Sequence, residues 1–308
     1  MSLASEPAAR TAPATAAAPS SPTRPLYWSV RRELWEHRSV YIAPLVVAGV
    51  VLLGFVVRLV HLPQAIHMVA TLDAGKQQIA FAAPFGIVAA AIAITGLIVA
   101  FFYCLGALYN ERRDRSILFW KSLPVSDTTA VLSKAAIPFV ALPVAVFAIA
   151  IATQLVMLVI GTAALAANGM DAAALWTHWP ILKMSVVLAY ALAAATLWYA
   201  PLYGWLLLVS SWARSMAILW AVLPPLGLAI AERIAFDTSY VSSLLDYRLG
   251  GFVEAAFRFK PHGGGLGDPL AILAPAKFLG TPGLWAGLAV AAACLAGAIW
   301  MRRNREPI

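Results

Sequence analysis

The side chains able to do chemistry are sparse in this chain, and most of them gather in one place. The His residues, at 37, 61, 67, 178 and 262, stand apart, and no H-E-x-x-H run sets two of them on one helix face for a metal. No G-x-S-x-G turn presents a serine nucleophile. The glycine-rich run PHGGGLGDP at 261–269 lacks the Lys-Ser or Lys-Thr of a phosphate loop and reads as an outer loop. Cys104 and Cys294 fall in apolar runs, have no ligand spacing, and read as small buried hydrophobes. What remains is the stretch YNERRDRSILFWKSLPVSDTTAVLSK at 109–134, where charge and aromatics alternate. Such a stretch suits recognition better than bond making.

If the preceding helix runs on through it, Glu111 and Arg115 form an i,i+4 pair. Ile117, Leu118, Phe119 and Trp120 then make an amphipathic patch. Leu123–Pro124 breaks the helix, because the residue before proline avoids the helical region, and Ser126 can cap the next one. Two readings stay open on the residues alone: a contact elbow, or a set of cationic and aromatic anchors that fixes orientation.

The elements that carry this stretch are set by solvent. Of 308 residues, 62% are hydrophobic and 12% are charged, with a mean hydropathy of +0.81. Soluble domains carry about 25% charged residues, so much of this chain is solvated by lipid. A bilayer core of roughly 30 Å needs about 20 apolar helical residues. Six stretches qualify, at about 41–60, 82–108, 135–166, 181–209, 216–230 and 282–301. The third is long enough to tilt, kink or protrude, the fifth is interrupted by Pro224 and Pro225, and the sixth starts at Thr281 as cap and Pro282 as first helical residue. Gly283, Gly287 and Ala291 share a face that permits close helix packing. The expected fold is an all-α polytopic membrane domain over 26–308, preceded by a Pro- and Ala-rich disordered tail at 1–25.

Tyr27 to Arg38 reads as an amphipathic helix in the headgroup region, with Trp28, Arg31, Arg32 and Trp35 as its interfacial residues. The net charge of +8 is spread between apolar spans with no dense basic face, which argues against nucleic acid. Lys and Arg crowd the connection between spans two and three, the turn at Arg214 and the C-terminal tail. By the positive-inside rule both termini are cytoplasmic. Every Asp and Glu lies outside the span centres, so the ionisable midplane groups of proton- or sodium-coupled carriers are missing. Gln154 is the most polar side chain near a span centre and reads as an interhelical hydrogen-bond partner.

The stretch at 109–134 resembles the cytoplasmic loop of ABC-2 type transporter permeases, where an E-R-[RK]-x-[GDR]-[ST] run ends the second helix and an L-P-[VL]-[ST] segment precedes re-entry. The matching positions are Glu111, Arg112, Arg113, Ser116, Leu123, Pro124, Val125 and Ser126. The resemblance implies a permease subunit of an exporter in a bacterial inner membrane. It would be dimeric with a second copy or a paralogue, and driven by separate ATP-binding cassette subunits. The chain itself would hold no cofactor and be no enzyme, ATP and Mg being used by the motor. The motor-facing surface would comprise Glu111, Arg112, Arg113, Asp114, Arg115, Ser116, Phe119, Trp120, Lys121, Leu123 and Pro124. A non-transport membrane enzyme or a membrane-complex scaffold is the alternative.

Overall fold

The computed structural model describes residues 23–59, 74–116, 125–169, 176, 180–258 and 269–304. Among these the protein is helical and has no strands. Six helical stretches are long and apolar enough to cross a membrane, matching the expected all-α polytopic class. Residues 1–22 of the expected N-terminal tail and the glycine-rich run at 261–268 lie outside the described residues, while the last three residues of the expected tail, Thr23 to Pro25, are helical.

Helix α1 (Thr23–Glu36) precedes the first span, α2 (Ser39–Leu59), with a two-residue link. The second span is α3 (Ala74–Gly106), continued after a break by the short α4 (Tyr109–Arg113). The third begins as α5 (Asp127–Ala136), passes through a π-helical turn at Ile137–Ala141 and continues as α6 (Leu142–Ala167). Pro138 and Pro143 each remove a backbone donor in this region, and a π turn is one way a helix accommodates that loss. The extra length foreseen here is thus a stretch of 41 residues from Asp127 to Ala167.

The fourth segment differs from the single expected span at 181–209. It is two helices, α7 (Ile181–Trp198) and α8 (Ala200–Trp212), broken at Tyr199 with Pro201 in the first turn of the second. A proline there fits the start of a new helix and not the interior of an old one. Helix α9 (Ala217–Phe236) follows and absorbs Pro224 and Pro225 without ending. Beyond it come α10 (Tyr240–Gly250), α11 (Phe252–Ala256), a 3-10 turn at Pro269–Ile272 and α12 (Pro275–Leu279), before the last span, α13 (Pro282–Asn304). Helix α13 starts at Pro282 as expected, but the Thr281 hydroxyl donates to the Lys277 carbonyl at 2.9 Å, closing α12.

The most extensive helix contact joins α8 to α13. Lipid offers apolar side chains no reason to leave it, so spans associate through close packing and polar contacts. Gly204 of α8 accordingly lies so near the Ala291 backbone that an added Cβ would sit 3.1 Å from its Cα. In the third span Gln154 donates from Nε2 to the Phe85 carbonyl of α3 at 3.2 Å, the interhelical role expected of it.

Candidate functional site at the terminal end of the bundle

The helix ends carrying the two described termini, α1 and the end of α13, meet at one end of the bundle, where the charged residues of several elements converge. At its centre is Glu33 of α1, wholly buried. Its Oε1 accepts from Lys134 Nζ of α5 at 2.9 Å and from Arg32 Nη2 at 2.9 Å. Its Oε2 accepts from the Tyr103 hydroxyl of α3 at 3.0 Å, with His37 Nδ1 at 3.6 Å. Lys134 also reaches Glu111 Oε1 of α4 at 3.0 Å. Arg302, in the last turn of α13, joins Glu111 Oε2 at 2.7 Å through Nη1 and Asp127 Oδ1 at 3.1 Å through Nε. Three carboxylates and three cations thus alternate along one chain of contacts that ties α1, α4, α5 and α13 together.

Burial and pairing oppose each other here. Desolvation alone would raise the Glu33 carboxyl. The Lys134 ammonium, followed by Arg32, more than offsets it and holds the group below its ordinary value of 4.5. A buried pair of this kind adds little over a well-packed apolar pair, yet losing one partner strands the other charge, at about 3–5 kcal/mol.

A second joint lies beside it. The hydroxyl oxygen of Ser210, on α8, accepts from the backbone N–H groups of Leu108 and Tyr109 at 2.9 and 2.8 Å, where α4 begins. In return Arg112 of α4 donates from Nη1 to the Ser211 carbonyl at 2.7 Å and to that of Ala213 at 3.3 Å, at the C-terminus of α8. Each helix end satisfies orphan backbone groups of the other.

The residues singled out from the sequence are therefore divided by the structure. Glu111 and Arg112 turn inward, to the ionic cluster and the α8 terminus. Arg113 and Asp114 face outward, their side chains 61% and 60% exposed and paired at 3.1 Å. Helix α4 ends at Arg113, and Arg115 takes a left-handed φ of 56°. The expected i,i+4 pairing of Glu111 with Arg115 is replaced by the longer reach to Lys134 and Arg302. The Ser116 hydroxyl folds back on the Glu111 carbonyl at 3.3 Å. Phe119, Trp120, Lys121, Leu123 and Pro124 lie outside the described residues. Beyond them Ser126 caps α5 as expected, accepting from the Thr129 N–H at 3.1 Å. Glu33, Lys134, Arg302 and Tyr103 were not singled out as a group. Glu33 is an acid beside two arginines at the mouth of a span, which was the available signal.

No protein-family model matches the chain, and neither does any curated protein or solved structure.

Proposed function

We propose that this chain is the membrane-spanning subunit of an ATP-driven exporter of the ABC-2 type, with both termini cytoplasmic and its motor on a separate protein. The observation that carries this reading is the wiring of the stretch that begins at Tyr109. Glu111 and Arg112, the first residues of the E-R-R run, are bonded to α5, α13 and α8, while their neighbours Arg113 and Asp114 stay exposed. A push on the exposed residues would thereby reach three spans through short, charged contacts. The placement of the acids outside the span centres supports an energy source outside this chain.

Cassette subunits would dock on Arg113, Asp114 and the segment at 117–124, and use ATP and Mg there. A second permease copy or paralogue would complete the transporter in a bacterial inner membrane. The test separates docking from folding. Arg113→Glu, on an exposed side chain, is expected to insert and unfold like wild type while losing motor-stimulated transport and ATPase association. Unchanged association and transport in this variant, and in Asp114→Lys, would remove the basis of the reading.

A further inference from the structure

Helix α1 has two unlike faces. Val30 and Leu34 pack against the core and Glu33 enters the ionic cluster. On the opposite side Trp28 and Trp35 are 59% and 66% exposed, with Arg31 between them at the spacing that places all three on one helical stripe. The Arg31 guanidinium carbon lies 5.3 Å from the Trp28 ring centroid and 5.1 Å from that of Trp35. Tyr27 extends the stripe, edge-on to Trp28 at 5.5 Å. Arg32 is engaged by Glu33 and Glu36, whereas no carboxylate among the described residues pairs with Arg31.

The position of this stripe limits what can cover it. Helix α1 is joined to the first span by two residues, and Glu33 meets Tyr103 near the end of α3 and Lys134 where the apolar part of the third span begins. The stripe therefore lies at the depth where spans leave the hydrocarbon, the level at which indole rings partition. A guanidinium offers a planar fork of donors suited to phosphate oxygens, and Arg38, exposed just past the helix, adds a second cation.

We infer that the Trp28–Arg31–Trp35 stripe binds the headgroup of an anionic phospholipid. The indoles lie among the glycerol and upper acyl groups, and the Arg31 guanidinium donates to the phosphodiester. This inference rests on the membrane-spanning fold and is independent of the transport reading.

The test uses the full chain in phosphatidylcholine vesicles that contain a small, fixed mole fraction of acyl-brominated lipid, either phosphatidylglycerol or phosphatidylcholine. Tryptophan quenching in wild type, less that in a Trp28→Phe/Trp35→Phe variant, reports these two indoles. Brominated phosphatidylglycerol is expected to quench them as if enriched about fivefold over bulk, the scale of one basic residue at an anionic surface. Arg31→Gln is expected to remove that preference and Arg31→Lys to keep part of it, with unfolding temperatures unchanged because the side chain is exposed. Equal quenching by the two lipids in wild type, or an unchanged preference in Arg31→Gln, would overturn the inference. No quenching by either lipid would also overturn it.

Discussion

The ionic cluster at the terminal end and the half-buried arginine at the far end are held in opposite ways, while Arg112 beside the cluster shares the carbonyl mode of the far end. At the terminal end, Lys134 and Arg302 are balanced by Glu33, Glu111 and Asp127. At the far end, Arg248 of α10 is held with no carboxylate partner among the described residues. It donates from Nη1 to the Trp198 carbonyl at 3.2 Å and from Nη2 to the Gly283 carbonyl at 2.8 Å, and lies 4.8 Å from the Trp198 ring centroid. Trp198 Nε1 returns a bond to the Arg248 carbonyl at 2.8 Å. Gly287 makes room, since a Cβ there would collide with the guanidinium. Partial desolvation lowers the Arg248 pKa, yet an arginine stays charged at any accessible pH.

The difference teaches where each joint can yield. Carboxylate partners make the ionic cluster responsive to charge and pH, whereas carbonyl and ring partners make the Arg248 joint responsive to shape. The far end also anchors the segment between the fifth and last spans. Glu232, near the end of α9, accepts from the Tyr240 and Val241 N–H groups at 2.7 and 2.8 Å, capping α10 and so fixing the helix that delivers Arg248. The sequence reading ended that span at 230. The helix runs on to Phe236, which makes Glu232 part of it.

The comparison can be broken most forcefully at Lys134. Lys134→Met is expected to cost about 3–5 kcal/mol in thermal or denaturant unfolding in mild detergent, because two carboxylates lose their shared cation. Adding Glu33→Gln to that variant is expected to recover more than half of the loss. If the double variant were as unstable as the single one, the pairing would not be the source of the effect. At the far end, Gly287→Ala is expected to cost about 1–3 kcal/mol through overpacking against Arg248, with hydrogen exchange rising in 240–250 and unchanged at 127–136.

Acid sharpens the contrast. Glu33 titrates lower in the folded protein than in the unfolded chain, so its contribution is complete above about pH 4.5 and is lost as pH falls through the folded value. Hydrogen exchange across that window is expected to rise in α1 and α5; no rise there, with loosening confined to the start of α10 that Glu232 caps, would contradict the assignment. The smallest effect is expected at the surface. Arg113→Ala removes an exposed pair with Asp114 and is expected to change stability by less than about 0.5 kcal/mol.

The spans were legible in the sequence because hydropathy over about 20 residues is a local signal, and so were the start at Pro282 and the cap at Ser126. The break at Tyr199 was missed although Pro201 marked it, because an uninterrupted apolar run hid the change of helix. On α1, Leu34, Trp28 and Trp35 are alike in hydrophobicity. The fold separates them, since Leu34 packs inward against spans and the indoles face out. The ionic cluster was not legible. Glu33 and Lys134 are 101 residues apart and Glu111 and Arg302 are 191 apart, and at span ends such residues look like the lone anchors that set orientation. Only the tertiary fold brings acid to base.

The measurement that bears most directly on the transport reading is purification of the tagged chain from its native membrane in mild detergent, followed by an ATP hydrolysis assay. The account predicts that a cassette-type ATPase co-purifies, turns over ATP, and is lost from the Arg113→Glu variant while Lys134 and Glu33 remain wild type. A folded chain that emerges without an ATPase across several mild detergents would contradict it, and would leave the stretch from Tyr109 as an anchor for membrane orientation.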